Sequence, residues 1–265
     1  MSGVRSLKVC GETRGVPIVF FGGTMARRQR EDLVPAEQGE QMRTRGYCVI
    51  RNAFRKPSVA CVSSIANQVA SAPATEAIFN GGGGGMVSNN EVDIGDGKRC
   101  QVFVDKVKWS ASCSSCISVV SKAISDAVPF RDIRDTVVLL SKAGCCDQAP
   151  HTYVEIYQLH RNVKRLGDDG VFDGFPLGCL AALQDQTYLN VWDGSINFDA
   201  QKEYSHSRIE LHAGDLFIFR VDLVHSGAAY EEDNVRIHCF LDREGIVRTS
   251  NLTSLFDHKN ILPIE

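Results

Sequence analysis

The side chains best suited to chemistry gather in residues 213–242, AGDLFIFRVDLVHSGAAYEEDNVRIHCFLD. His225 stands where the apolar run LFIFRVDLV meets Ser226-Gly227, and Arg236 follows eleven residues later. The period of two of a strand puts Arg236, His238 and Phe240 on one face of VRIHCFLD, with Val235, Ile237, Cys239 and Leu241 on the other. A buried guanidinium needs an anionic partner, because an unpaired buried charge is very costly. No carboxylate of this strand lies near Arg236 on its face. A bound anion is therefore the partner this pattern calls for.

These residues need a scaffold, and the pattern on either side supplies one. Gly214-Asp215 signals a turn, and LFIFRVDLV reads as one buried strand that ends at His225. Upstream, the β-branched run TVVLLS within 132–141 reads as a strand that delivers AGCCDQAPHTYVE. A helix is expected from Pro35 to Gly46, followed by a strand over 47–54. A second helix begins at Lys56-Pro57, with Val59, Val62, Ile65 and Val69 on one apolar face. A strand is expected over 100–109, and a third helix over 113–128 with Ile117, Val120, Ile124 and Val128 on one face. INFDAQKEYSHSRIE reads as a polar excursion, a loop of the kind that varies with substrate, and 243–265 as a tail with no site signal, whose ILPIE packs outside.

The pattern GDLFIF…DLVHSGAAY…NVRIH resembles the C-terminal half of the Fe(II)- and 2-oxoglutarate-dependent dioxygenases, in their phytanoyl-CoA-dioxygenase-like branch. Gln148-Ala-Pro-His151-Thr-Tyr is similar to the upstream half of the same site, and the likeness spans roughly residues 40–242. The resemblance implies a mainly β (α+β) fold: a double-stranded β-helix, or jelly roll, with N-terminal helices packed on one sheet. It also implies that His151 and His225 bind iron, that Arg236 grips the distal carboxylate of 2-oxoglutarate, and that His238 and Thr187 line the cosubstrate pocket. Tyr188 is a further candidate there. The implied reaction is hydroxylation of a small organic substrate by O2. The family's third ligand is an aspartate two residues after the first histidine, and here that position is Tyr153. A third ligand is then sought in Tyr153 itself or in Glu155, which shares the strand face of His151; Asp147 is a further nearby carboxylate. The alternative is a jelly-roll protein that has lost catalysis and acts as a binding or interaction module.

Composition narrows the field. Hydrophobic residues make up 43% and charged residues 23% of 265, with a net charge of −3, an ordinary globular balance with no global drive toward nucleic acid. No apolar run approaches the ~18–20 residues of a membrane span, and no signal peptide is legible, which points to an intracellular, cytoplasmic protein. The ten cysteines then read as free thiols, and Cys113-Ser-Ser-Cys116 has no second pair to complete a zinc site. The expected organisation is a partly flexible tail over 1–35 and a single domain over 36–265. Met25–Arg30 reads as a solvated basic run, and Arg161, Lys164 and Arg165 as a solvated turn. The run Gly81–Gly85 reads as a flexible surface loop.

Overall fold

The computed structural model describes residues 36–72, 77–79, 98–129, 131–153, 175–196, 202–242 and 254–255. The basic run, the glycine run, Glu155, the 161–165 turn and ILPIE lie outside them. The helices are α1 (Ala36–Thr44), α2 (Val59–Ala70) and α3 (Ala111–Ala127). The strands are β1 (Tyr47–Ile50), β2 (Ala77–Phe79), β3 (Arg99–Phe103), β4 (Asp132–Ser141), β5 (His151–Thr152), β6 (Leu177–Ala182), β7 (Thr187–Trp192), β8 (His206–Leu211), β9 (Leu216–Arg220), β10 (His225–Gly227), β11 (Asn234–Asp242) and β12 (Ser254–Leu255). They form a seven-stranded sheet, β1-β9-β6-β11-β4-β3-β2, and a five-stranded sheet, β12-β5-β10-β7-β8. Every strand pairing is antiparallel.

Alternation along the strands creates two apolar layers. Val138, Leu140, Cys179, Ala181, Ile218, Val235, Ile237 and Cys239 face α2 and α3, meeting Ile65, Val69, Ile117, Val120 and Ile124. The opposite face of the large sheet sends Leu180, Ala182, Phe217 and Phe219 against Leu189, Val191 and Leu211 of the small sheet. Each fully buried Leu, Ile or Phe contributes roughly 1.5–3 kcal/mol, so these layers fix the frame on which the site is hung. Both helices start at a serine: Ser58 accepts from the Cys61 N–H and Ser110 from the Cys113 N–H.

Several expectations need correction. The apolar run after Asp215 is not one strand. It breaks at Val221-Asp222, where Arg220 donates through Nε and Nη2 to both carboxylate oxygens of buried Asp222, and the Leu223 N–H donates to the Arg220 carbonyl. The Arg220 guanidinium also lies 3.7 Å from the Phe175 ring centroid. The chain therefore changes sheets here, and His225 is the first residue of a new strand. Val59 is 79% exposed, because the apolar face of α2 closes on the sheet only from Val62 onward. The strand expected over 100–109 turns into a short 3-10 helix at Val104–Lys106. The polar excursion ends in an edge strand, β8, where charged Arg208 and Glu210 alternate with Ile209 and Leu211. Part of the C-terminal tail also belongs to the site sheet: Leu255 pairs with His151. Among the described residues, no helix is long and apolar enough to cross a membrane.

Candidate active site

His151 and His225 are direct cross-strand partners in the single register position joining β5 to β10. Their ring centroids lie 4.7 Å apart at 60°. Each Nδ1 sits on a backbone carbonyl two residues upstream, His151 on Ala149 at 2.8 Å and His225 on Leu223 at 2.9 Å. A carbonyl oxygen only accepts, so in each neutral ring Nδ1 carries the proton and Nε2 presents a lone pair. Nε2 of His225 is buried with no hydrogen-bond partner. This is the preparation a histidine needs to bind metal: one nitrogen fixed by the backbone, the other left basic and undressed.

Electrostatics favour the neutral rings. Burial pushes the His151 pKa down, its bond to the Ala149 carbonyl opposes this, and the Arg99 charge lowers it further. Burial holds His225 well below its ordinary value, and the charge of His151 adds to that.

Tyr153, at the position where the resemblance sets a third ligand, packs its ring beside both histidines. Its N–H is held by the Val221 carbonyl at 3.1 Å. Its ring lies 4.6 Å from His225, 5.1 Å from both His238 and Phe240, and 6.0 Å from Phe219. Burial raises its pKa to about 12, with Arg236 pulling the other way, so the phenol keeps its proton near neutral pH. Asp147 is turned aside, its Oδ1 accepting from Asn190 Nδ2 and from the Ala229 N–H. Among the described residues, no group of three or more His, Cys, Asp or Glu side chains is arranged to hold a metal. The described side chains thus offer two neutral imidazole nitrogens of the kind a divalent first-row metal accepts, with the ring of Tyr153 packed beside them.

Arg236 is 5% exposed and faces the layer between the sheets. Its Nη1 donates to Ser141 Oγ at 3.0 Å and approaches Asn234 Oδ1 at 3.4 Å. Both of these acceptors are neutral side-chain oxygens. Thr187 is one step removed: its hydroxyl accepts from Asn234 Nδ2 and donates to the Gln184 carbonyl. His238 lies on the same strand face as Arg236, edge-on to Phe240 at 4.9 Å. Tyr188 is set away from the rings, with its carbonyl accepting from the Tyr230 hydroxyl and its own ring beneath Arg208.

Sequence reasoning missed Arg99, Ser141 and Gln148. Ser141 Oγ accepts from both Arg99 and Arg236, at 2.9 and 3.0 Å. With both lone pairs engaged, its proton remains available to donate. Gln148 exchanges bonds with Gly227, donating its N–H to the Gly227 carbonyl and accepting from the Gly227 N–H. In the sequence Arg99 only precedes the strand expected over 100–109, and it is the pairing of that strand with β4 that brings it to Ser141.

No family model and no curated protein matches the chain. Solved structures do. The non-haem α-ketoglutarate-dependent epimerase SnoN from nogalamycin biosynthesis superposes with a TM-score of 0.55 at 14% identity, over 83% of this chain and 86% of its own. AviO1 from Streptomyces viridochromogenes Tue57 gives 0.56 at 11% identity, over 82% and 98%. HygX from Streptomyces hygroscopicus, solved with nickel, 2-oxoglutarate and hygromycin B bound, gives 0.53 at 12% identity, over 83% and 94%. The likeness is one of fold.

Proposed function

We propose that this protein is an Fe(II)- and 2-oxoglutarate-dependent oxygenase of a small organic substrate, built on a jelly-roll domain over residues 36–265. The observation that carries the reading is the matched pair His151 and His225, each with Nδ1 anchored on a carbonyl and with the buried Nε2 of His225 lacking any partner. The fold shared with HygX, whose structure holds nickel and 2-oxoglutarate, supports it. The narrower placement in the phytanoyl-CoA-dioxygenase-like branch rests on the sequence pattern around His225 and Arg236.

In this reading His151 and His225 hold the metal through Nε2, and Tyr153 or Glu155 completes the protein's share. When bound, the metal with 2-oxoglutarate supplies the activation of O2. The chain's own residues do the rest. Arg236 binds the far carboxylate of the cosubstrate with its planar fork, a geometry lysine does not reproduce. Ser141 adds its hydroxyl proton, and His238 lines the pocket beside it. Phe219, Phe240 and Tyr153 exclude water, which strengthens each of these polar contacts.

The test is an anaerobic titration with Fe(II) and then 2-oxoglutarate, following the charge-transfer absorbance of the chelate, with His225→Ala as control. A band in the wild type that the control lacks supports the assignment. The position of Tyr153 favours a second reading, a jelly-roll binding module without turnover. Its signature is no band in the wild type and a band in Tyr153→Asp.

A further inference from the structure

We infer that Arg99 is the positioning residue of this site. Its guanidinium bolts the segment entering His151 to the strand leaving His225, and so sets the separation at which the two imidazoles meet a metal. The inference rests on the two-histidine reading above and adds a residue to it.

The two histidine strands share little ladder with each other, although β10 pairs with β7 at three positions and β5 with β12 at two. β5 is two residues long and touches β10 at one register position. Arg99 reaches both. Nη2 donates to the Cys146 carbonyl at 2.6 Å, on the approach to His151, and to the Ala228 carbonyl at 2.7 Å, just past His225. Nη1 donates to Ser141 Oγ at 2.9 Å, the oxygen that also receives Arg236. One planar cation thus joins the metal pair to the anion subsite. Gln148 closes the same gap through its two bonds to Gly227. The packing around this junction leaves no room at Gly227: a Cβ there would lie 2.4 Å from Gln148 Oε1 and 2.9 Å from Arg99 Nη1. A lysine keeps the charge, but a single ammonium does not reproduce a flat fork bridging three acceptors on separate segments. The described bonds of Arg99 go to the protein's own oxygens, so its effect is to be read on the metal site it shapes.

The experiment titrates Co(II), as the probe metal, into purified metal-free wild type, Arg99→Lys and Val138→Ala, recording affinity by calorimetry and the Co(II) visible spectrum. Val138 is buried on the helix-facing side of the large sheet, opposite the face that carries Arg236 and His238, so Val138→Ala supplies a destabilised control. Thermal midpoints are measured on all three. Arg99→Lys is expected to weaken Co(II) by about tenfold or more and to change the spectrum, while Val138→Ala keeps its affinity within about twofold. Arg99→Lys matching the wild type in affinity and spectrum overturns the inference. So does a loss of affinity that follows the fall in thermal midpoint equally in both variants. If the wild type itself does not bind Co(II), the two-histidine reading fails and the positioning role falls with it, an outcome distinct from the other two.

Discussion

His151 and His225 face each other across an antiparallel pair, and each is anchored in the same way, by Nδ1 on the carbonyl two residues before it. A buried imidazole with an undressed Nε2 is a cost in the metal-free protein, since an unsatisfied buried polar atom is worth about 1–3 kcal/mol. Replacing the ring of His225 with an apolar side chain therefore removes a liability together with a hydrogen bond. His225→Leu is expected to leave the metal-free stability within about 1 kcal/mol of wild type while abolishing Co(II) binding. Urea denaturation alongside a Co(II) titration checks it. A large loss of stability would mark His225 as a structural residue instead.

Tyr153 makes the opposite trade. Its ring packs on His225, His238, Phe219 and Phe240. A carboxylate in that place gives up this ring packing and is buried among neutral rings, with the Arg236 charge as its described counterweight until metal arrives. Tyr153→Asp is expected to lower the metal-free stability by about 3 kcal/mol and to raise Co(II) affinity by about tenfold or more, because it completes two histidines and a carboxylate. Denaturation with and without Co(II) separates the two effects, and the variant should gain far more from the metal than wild type does. Equal gains would show that Asp at 153 does not reach the metal.

Much of this frame was legible in the sequence because local pattern and tertiary burial agree there. β4 runs from Asp132 to Ser141 as the β-branched run suggested, and the two faces of β11 separate as period two requires. The burial of Arg236 on the face shared with His238 and Phe240 was legible for the same reason, since period two sets both faces of the strand. What was not legible depends on long-range pairing. LFIFRVDLV looks continuous, yet an ion pair two residues apart, Arg220 with Asp222, turns the chain from one sheet to the other. The role of Arg99 arises from acceptors 42, 47 and 129 residues away, which no spacing rule anticipates. Leu255 beside His151 is likewise a pairing the tail sequence does not announce.

Arg236 should separate cosubstrate binding from metal binding. Its only described polar acceptors are Ser141 Oγ and Asn234 Oδ1, both neutral. Removing one partner of a buried charged contact costs about 2 kcal/mol or more, about 30-fold in affinity. Arg236→Gln is expected to weaken 2-oxoglutarate by at least that factor in the Co(II)-loaded protein, while Co(II) affinity itself changes little. Calorimetry with each ligand in turn checks it. A parallel loss of both would place Arg236 among the residues that hold the histidines.

Asp215 gives the fold a pH dependence whose sign can be worked out. It is 1% exposed at the turn that launches β9. Oδ1 accepts from the Asn52 N–H at 2.9 Å, and Oδ2 accepts from the His212 N–H at 2.9 Å and from Arg51 at 2.6 Å. Burial is the largest single influence and would raise the carboxyl pKa, but these donors and the Arg51 charge together outweigh it and hold the group below its usual value. The folded pKa therefore lies below the unfolded value of about 3.9. The unfolded chain takes up the proton first as pH falls. The stabilisation is complete above about pH 5 and is lost as pH drops through 4 toward the folded value. Asp215→Asn is expected to cost about 2 kcal/mol at neutral pH, the scale of hydrogen bonds to a charged group. The gap between variant and wild type should stay level from about pH 5 to 7 and narrow below about pH 4. Urea denaturation across that range checks it. A gap that stays constant down to about pH 3 would mean the Asp215 carboxylate contributes through shape alone, without its charge.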